Sequence, residues 1–488
     1  MGCLEWLYGL LWGPPGVAVM VGTGLFLSLR TNFPQITLLI AAFRSLRASK
    51  PPEEGVTSFQ ALCTALAATV GTGNIVGVSG AICLGGPGAV FWIWLCGFLG
   101  MATKFAEVTL ARRYRVCDGG EMVGGPMYMI REGLPRKWHF LAWLYSAFGV
   151  VAAFGVGNAT QINAVVSGFH GILASLGREP GFLEDLLLGI AMALAIGLVL
   201  SGGVKRIAAA AERIVPAVSA GYILLCLWVL VRCRQRIPGA FAAILTGAFS
   251  PRAVTGGLVG SAFVSLRTGC ARGIFTNEAG MGTASMAYAA AREGHPVELG
   301  LLGLLEVFAD TIVICTLTAL AVLCSGVAIP YGVDAGGTLP FQVFSGVCGG
   351  WAAGALTLFL SVFALATVLG WGLYGARCGQ FLFGRGFWKT FVRLQMGGVL
   401  LGALLETRTL WMAAEIVNGL MAIPNLVALV FLSPELRRLV WEYKNRGVQA
   451  PEKKRYLQFG RRKAIIEKKR GRMPREKDTA VHCDAGHF

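Results

Sequence analysis

Charged side chains are scarce in this sequence. Asp, Glu, Lys and Arg together make up 14% of its 488 residues, whereas soluble domains carry about 25%. Hydrophobic residues make up 55%, and the mean hydropathy is +0.63. This balance excludes an ordinary soluble domain and predicts a polytopic membrane protein that has the lipid bilayer as a partner.

Signatures of enzymes and of metal centres are also missing. No HExxH, GxSxG or P-loop spacing occurs, and the five histidines are scattered. The 13 cysteines form no CxxC pair, and most of them fall inside apolar segments. We therefore expect them to be small buried residues rather than metal ligands or disulfide partners. An enzyme is the least expected class of protein.

Acidic residues are too few to balance the basic ones. The formal net charge is +17, but much of the excess lies in the tail beyond Leu432 and most of the rest in short loops. This distribution is typical of a cytoplasmic face rather than of a protein that binds nucleic acid. It predicts a cytoplasmic tail, an external segment 326–350 and an external N-terminus in the plasma (inner) membrane. The connection with Arg232, Arg234 and Arg236 disagrees, and the rule tolerates one such loop.

Apolar windows of about 20 residues predict about eleven transmembrane helices in an all-α polytopic protein. The windows are 12–42, 57–84, 88–110, 139–169, 185–203, 213–232, 256–290, 299–325, 351–377, 391–406 and 410–432. We predict four parts: an extra N-terminal helix and loop (1–56), a first repeat (57–232), a second repeat (256–432) and a basic tail (433–488).

Two of these windows contain residues that interrupt a helix. Window 57–84 has Gly71-Thr72-Gly73-Asn74 at its centre, and window 256–290 has the segment Asn277-Glu278-Ala279-Gly280. Gly costs about 1 kcal/mol in a helix relative to Ala, and backbone groups freed inside a membrane must face protein, water or a ligand. A single break is equally well explained as a glycine-rich packing surface.

The positions of the two breaks favour a ligand site. Each broken window opens a group of five predicted helices, and the predicted topology gives the two windows opposite directions. Interrupted helices at corresponding places in oppositely oriented halves indicate the binding site of an inverted-repeat transporter.

Polar residues in other windows are candidates for the same site. Gln161 offers both a donor and an acceptor, although an interhelical hydrogen bond is its ordinary role. Thr367 and Trp371 are four residues apart and share a helical face. They suit either a small ligand site, with the hydroxyl for a cation and the indole as a wall, or ordinary packing.

Charged residues inside the windows have several interpretations. We expect Lys104 and Glu107 to form a structural pair at the i, i+3 spacing. Glu278 is expected to cap a half-helix or to pair with Arg267 or Arg272, and contact with an ion is the alternative. Glu306 and Asp310 are expected on one face, as buried hydrogen-bonded carboxylates or as a proton or ion relay.

Long motifs resemble those of the alanine or glycine:cation symporters, the sodium:alanine symporter family. The matching segments are GTGNIVGVSGAICLGGPGAVFW, GMATKFAEVTLARRYR, GEMVGGPMYMI, FGVGNATQIN, RGIFTNEAGMGTAS, FADTIVICTLTAL and ATVLGWGLYG. They follow the family's order over most of residues 12–432. The resemblance implies a LeuT-like 5+5 inverted-repeat bundle with one extra N-terminal helix. It also implies uptake of alanine or glycine with sodium as the coupling ion.

The resemblance further implies which residues bind substrate and ion. The implied substrate residues are Thr72, Gly73, Asn74, Gln161, Phe275, Met281, Gly282, Thr367 and Trp371. The implied sodium ligands are the backbone carbonyls near Ala67 and Val70 and the Thr367 hydroxyl. Carbonyls freed by a break suit a hard cation, and half-helix amides suit a carboxylate.

Two departures from the family pattern qualify these expectations. The family usually has two consecutive threonines where this chain has Ala366-Thr367, and Ser-Ala-Pro-Ile-Ala-His where it has the segment 283–288. The ion is then expected to bind more weakly or to be a proton, and the substrate to be another small amino acid. A membrane sensor or scaffold that has the fold without transport is the alternative from a different class.

Overall fold

The computed structural model describes residues 2–48, 55–175, 178, 181–249, 262–291, 295–404 and 408–445. Within these residues the protein is a helical bundle with one short antiparallel hairpin, in which Val116 pairs with Val123. Most of the predicted basic tail, and residues 256–261 of the predicted window 256–290, lie outside the described residues.

Eight helical segments of the described chain are long and apolar enough to cross a bilayer, or nine if a bent pair counts as one span. The segments are Gly2–Arg30, Ala89–Arg113, Arg136–His170, Phe182–Ser201, Gly203–Arg232, Pro296–Ser325, Trp351–Phe383 and Met412–Lys444. The bent pair is Ser58–Thr69 and Gly73–Gly85, which meet at 52°. The prediction of a helical multi-pass membrane protein is confirmed.

The first half contains thirteen described helices. They are α1 (Gly2–Trp12), α2 (Pro14–Arg30), α3 (Pro34–Thr37), α4 (Leu39–Ala48), α5 (Ser58–Thr69), α6 (Val78–Gly85), α7 (Ala89–Arg113), α8 (Pro126–Gly133), α9 (Phe140–Phe154), α10 (Thr160–Ser175), α11 (Phe182–Ser201), α12 (Gly203–Arg232) and α13 (Ile237–Phe249). The strands β1 (Val116–Asp118) and β2 (Glu121–Val123) form the hairpin between α7 and α8.

The second half contains eight further described helices. They are α14 (Ala262–Asn277), α15 (Ser285–Ala289), α16 (Pro296–Val307), α17 (Thr316–Ser325), α18 (Leu339–Cys348), α19 (Trp351–Phe383), α20 (Phe387–Leu404) and α21 (Arg408–Lys444). Wider π-helical turns occupy Gly73–Gly77, Gly155–Ala159 and Phe308–Cys315. Such turns are rare and occur frequently at functional sites.

The predicted bounds of the first window, 12–42, are wrong. The span is Gly2–Arg30, and the chain turns at Asn32 and Phe33, whose φ angles are 61° and 50°. Pro34 follows this turn, and a proline cannot continue a helix because it lacks the N–H and its ring disfavours a helical residue before it.

Several short elements lie in segments that we predicted only as connections. They include α13, α18, α8 and the hairpin, all of which are too short to cross a bilayer as helices. The last helix, α21, continues to Lys444, past the predicted end of its window at 432. Helix α20, which corresponds to the predicted window 391–406, is not among the spanning segments, and its first two turns carry Lys389 and Arg393.

Helix α7 lies in the interior of the bundle. Every residue from Met101 to Arg112 is buried, although ordinary membrane helices expose one face to lipid. This position brings Lys104 and Glu107 into the core of the protein, next to the second break.

Candidate functional site

The first predicted break is confirmed by the structure. Helix α5 begins with a capping box, in which the Gln60 amide donates to Thr57 Oγ1 at 2.9 Å. It ends at Thr69, because Val70 has an extended backbone with φ −77° and ψ 109°. The Gly71 amide, freed by this change, donates to Asn74 Oδ1 at 2.9 Å.

The second predicted break is also confirmed. Helix α14 ends at Asn277, and helical geometry resumes only near Ser285. Glu278, Gly280 and Gly282 have φ angles of 51°, 101° and 75°. Only glycine adopts such angles without cost, so Glu278 is a residue under backbone strain.

The two breaks lie side by side in the bundle. A Cβ atom added at Gly73 would lie 3.5 Å from the hydroxyl oxygen of Thr276, one residue before the end of α14. The unwound backbone of one half of the chain therefore faces that of the other half, as the inverted-repeat prediction requires.

A cavity of about 1190 Å³ opens above the breaks. Three of the predicted substrate residues, Thr72, Gly73 and Phe275, form part of its wall. The segment 326–350 and the start of α19 line its other end, where Asp334 and Trp351 contribute side chains. We call this end of the bundle the cavity end.

An ion pair lies in the wall of the cavity. Arg272 Nη1 is 3.7 Å from Glu415 Oε1, and both residues line the cavity. Our sequence interpretation missed Glu415, although a charge inside the predicted window 410–432 is itself a signal of function. It also offered Arg272 as a partner for Glu278, which is wrong.

Gln161 lies directly beside the first break. The Thr72 hydroxyl donates to Gln161 Oε1 at 3.2 Å, and Gln161 Nε2 donates to the Val156 carbonyl at 3.2 Å. A Cβ atom at Gly71 would lie 3.9 Å from the same Gln161 oxygen. The structure thus brings together Thr72, Gln161 and the freed backbone of Gly71.

Two of the three predicted ion ligands meet on the other side of Gly71. The Thr367 hydroxyl donates to the Ala67 carbonyl at 3.1 Å, although 300 residues separate them in the chain. A Cβ atom at Gly71 would lie 3.0 Å from Thr367 Oγ1. Val70, the third predicted ligand, is buried next to Gly71. Glycine at position 71 therefore leaves room where oxygen atoms converge.

Asn74 faces the protein interior in this structure. Its Nδ2 donates to Asp310 Oδ1 at 2.7 Å and lies 3.2 Å from the Asp310 carbonyl oxygen, while its Oδ1 accepts the Gly71 amide. Both ends of the Asn74 side chain are thus engaged in holding the break.

Six of the predicted substrate residues do not form part of the cavity wall: Asn74, Gln161, Met281, Gly282, Thr367 and Trp371. Three of these six lie at the second break. The Trp371 indole is 1% exposed and donates from Nε1 to Glu278 Oε1 at 3.0 Å. The buried Met281 accepts the Tyr145 hydroxyl at its carbonyl, and the Gly282 amide donates to Glu107 Oε1 at 3.0 Å. These three residues form the far side of the second break.

The prediction that Lys104 pairs with Glu107 is wrong, because Lys104 pairs with Glu306. Lys104 Nζ is 3.4 Å from Glu306 Oε1. Glu107 Oε1 instead accepts the amides of Gly280 and Gly282 at 2.8 and 3.0 Å, and Asn425 Nδ2 at 2.8 Å. Donors at the second break therefore bind Glu107 Oε1 directly, whereas Lys104 pairs with Glu306.

Glu306 and Asp310 have different partners despite their i, i+4 spacing. Glu306 pairs with Lys104, whereas Asp310 accepts Asn74 Nδ2 and the Thr311 hydroxyl. The π-helical turn that begins at Phe308 separates them, and its wider turn rotates the residues that follow. Asp310 therefore serves the first break and Glu306 belongs to the environment of the second.

Polar contacts close the end of the bundle opposite the cavity. Arg115 Nη1 donates to the Ala291 carbonyl at 2.7 Å, and Arg377 Nη2 donates to Glu121 of the hairpin at 2.8 Å. Arg385, just beyond α19, pairs with Asp118. Burial lowers the pKa of Arg115 to about 10, which still leaves it charged at neutral pH. We call this end the hairpin end.

Comparisons with known proteins agree with this architecture. The model of the sodium:alanine symporter family matches residues 2–457. The chain belongs to the sodium:alanine symporter family. The resemblance seen in the motifs is therefore confirmed, and the family and the structural neighbours are transporters.

Two relatives in this family cover nearly the whole chain. An uncharacterized transporter of Haemophilus influenzae is 43% identical over 427 residues, which are 86% of this chain and 91% of the relative. The sodium/alanine symporter AgcS of Methanococcus maripaludis is 41% identical over 436 residues, which are 87% of this chain and 92% of AgcS.

A solved structure shows the same fold. The structure of MhsT in complex with L-phenylalanine matches with a TM-score of 0.52 at 17% identity, covering 80% of this chain and 99% of MhsT. The chain thus has the LeuT-like fold that the motifs implied, with two interrupted helices next to each other at its centre.

Proposed function

We propose that this protein takes up a small neutral amino acid, alanine or glycine, together with sodium by alternating access. The observation that carries the proposal is the hydrogen bond from Thr367 Oγ1 to the Ala67 carbonyl, 3.1 Å long, beside the first break. It supplies two oxygen atoms from distant parts of the chain at a place where the helix has released its backbone groups.

Sodium would bind where these oxygens converge. The Thr367 hydroxyl and the carbonyls of Ala67 and Val70 are uncharged oxygen donors, which suit a hard cation of single charge. The absence of a side chain at Gly71 keeps this place accessible to the ion. A sodium ion here would join α5 to α19 and so favour one arrangement of the two repeats.

The amino acid would bind across the two breaks. The freed amides around Gly73 suit its carboxylate, and Thr72 with Gln161 offers oxygen atoms for its ammonium group. Phe275 would limit the size of the side chain. In this scheme Asn74 holds the first break in shape, while Met281, Gly282 and Trp371 support the second break from behind.

The predicted orientation in the membrane implies which side of the membrane the cavity faces. With the segment 326–350 outside the plasma membrane, the cavity end faces the exterior and the hairpin end faces the cytoplasm. The chain then adopts an outward-facing arrangement, closed on the inside by the contacts of Arg115, Arg377 and Arg385. Inward release requires these contacts to open and the cavity to close.

Uptake into proteoliposomes tests the proposal. We expect labelled alanine and glycine to accumulate under an inward sodium gradient and not when choline replaces sodium. Thr367→Val, which removes the oxygen at nearly constant shape, should lower uptake at least tenfold, and Thr367→Ser should retain much of it. Uptake that ignores both the sodium and the proton gradient would contradict symport.

A further inference from the structure

Five ionisable side chains lie together in the core of the bundle. They are Lys104, Glu107, Glu278, Glu306 and Asp310, and none is more than 4% exposed. Four carboxyl groups thus share one lysine. A buried charge needs an opposite charge or several hydrogen-bond donors, and a carboxyl group that has neither takes up a proton instead.

Two of the carboxyl groups have the partners that an ionised form requires. Glu306 lies 3.4 Å from Lys104 Nζ, which makes a buried ion pair. Glu107 receives three N–H donors on one oxygen, from Gly280, Gly282 and Asn425. Hydrogen bonds of this kind stabilise a carboxylate strongly. Both groups are therefore assigned as ionised.

Glu278 has only neutral donors at its carboxyl group. Thr283 Oγ1 is 2.6 Å from Oε2, and the Trp371 indole donates to Oε1 at 3.0 Å. Lys104 contacts the backbone carbonyl of Glu278, at 3.3 Å, rather than its carboxyl group. The single lysine is thus committed to Glu306 and to a peptide oxygen.

The charged and titratable groups that face Glu278 from neighbouring helices do not compensate it. Helix α7 presents Lys104 and Glu107, α16 presents Glu306, and α9 and α19 present the neutral phenols of Tyr145 and Tyr374. Lys104 attracts a negative charge on Glu278, but it is already paired with Glu306, and burial of the Glu278 carboxyl group opposes its ionised form.

We propose that Glu278 is a proton-binding site in the membrane core. In its protonated form Oε2–H donates to the Thr283 hydroxyl, while Oε1 remains a carbonyl oxygen that accepts the Trp371 indole. Glu278 also has a strained φ of 51° at the second break, so a rearrangement of that break changes the contacts that hold the proton.

Sodium binding gives this proton a functional connection, which rests on the proposed function. Trp371 lies one helical turn from Thr367, the proposed sodium ligand. A cation near Thr367 favours the ionised form of Glu278 and so promotes release of the proton. The proton occupancy of Glu278 would then fall when sodium binds.

Infrared spectroscopy of the purified full-length protein tests the site without any transport measurement. A protonated carboxyl group has a carbonyl stretching band that is separate from those of carboxylates and shifts in deuterated water. We expect this band near neutral pH in the unaltered protein and a weaker band in Glu278→Gln, in which any remainder comes from Asp310, whose side chain also has only neutral donors. Trp371→Phe should retain the band and move it to higher frequency, because the indole no longer donates to Oε1.

Asp310→Asn is the matched comparison, because Asp310 is equally buried and also has neutral donors, Asn74 and Thr311. Loss of the whole band in Asp310→Asn but not in Glu278→Gln would overturn the proposal, as would absence of any band. If Glu278→Gln does not fold, the frequency in Trp371→Phe decides, and an unshifted band overturns the proposal. Failure of sodium to weaken the band removes only the connection to transport.

Discussion

Asn74 donates from Nδ2 to the side-chain oxygen Oδ1 of Asp310 at 2.7 Å, across 236 residues of the chain. The same side chain accepts the Gly71 amide at 2.9 Å. This relay connects the π-helical turn that contains Asp310 to the first break. The shape of the ligand site therefore depends on a residue that does not line the cavity.

Asp310→Ala should weaken alanine binding about threefold to tenfold, because Asn74 Nδ2 loses its shortest hydrogen bond and keeps only the Asp310 backbone carbonyl and Cys315 Sγ, and a hydrogen bond contributes about 0.5–1.5 kcal/mol. Isothermal titration of the purified protein in sodium measures this effect. Asp310→Asn keeps an acceptor oxygen for Asn74 and should retain most of the affinity. Equal losses in the two variants would show that the charge, rather than the relay, matters.

Gly71→Ala should raise the half-saturating sodium concentration, because its Cβ atom would lie 3.0 Å from Thr367 Oγ1. We expect at least a tenfold change in sodium-dependent alanine uptake. Gly77→Ala is the control, since its nearest neighbour would be 4.0 Å away, at Arg272 Cδ. An unchanged sodium dependence in Gly71→Ala would place the ion elsewhere.

Ala366→Thr should lower the half-saturating sodium concentration by supplying one more oxygen atom. Ala366 is buried in a cluster with Ala67 and Cys63, next to the proposed ion site. Ala366→Val has nearly the shape of threonine without the hydroxyl, so it should give no such gain. A shift of the same size in both variants would exclude direct coordination by the added oxygen.

Lys104→Met should destabilise the protein by about 3–5 kcal/mol, because it leaves the Glu306 carboxylate buried without its partner. The double variant Lys104→Met/Glu306→Gln should recover much of this loss in thermal unfolding of the detergent-purified protein. Lys104→Met/Glu107→Gln should not recover it. The opposite order of the two double variants would contradict the observed pairing.

Gly157→Ala should destabilise the protein by about 1–3 kcal/mol through overpacking. Its Cβ atom would lie 2.3 Å from Trp371 Cβ, which cannot move without moving α19. Gly397→Ala is a matched control, since no atom lies within 4 Å of its added Cβ. Similar unfolding temperatures for the two variants would argue against close packing of α19 at Gly157.

The two breaks could be predicted because glycine and asparagine inside an apolar window are local signals. Gly71 to Asn74 and Glu278 to Gly282 interrupt their helices where the sequence indicated. The identities of Thr72, Gln161 and Thr367 as neighbours of the first break also followed from the motifs. Their contacts with each other and with Ala67 required the structure.

Ion pairs and hydrogen bonds between residues far apart in the chain could not be predicted from their spacing in the sequence. Lys104 and Glu107 are neighbours on one helix turn, but the amides freed at Gly280 and Gly282 bind Glu107 more directly. The i, i+4 rule for Glu306 and Asp310 assumed a regular helix, and the π-helical turn from Phe308 separates their surroundings. Glu415 pairs with Arg272 from a different window, and no local spacing indicates such a pair.

The cavity of about 1190 Å³ has a pharmacological consequence. It exceeds the range of about 300–1,000 Å³ that accommodates drug-sized molecules, so a small amino acid fills only a fraction of it. A compound with an amino-acid group at Thr72 and Gly73 and a rigid aromatic extension towards Phe341 and Trp351 would fill the cavity and prevent it from closing. Such a compound would inhibit transport and would not itself be transported.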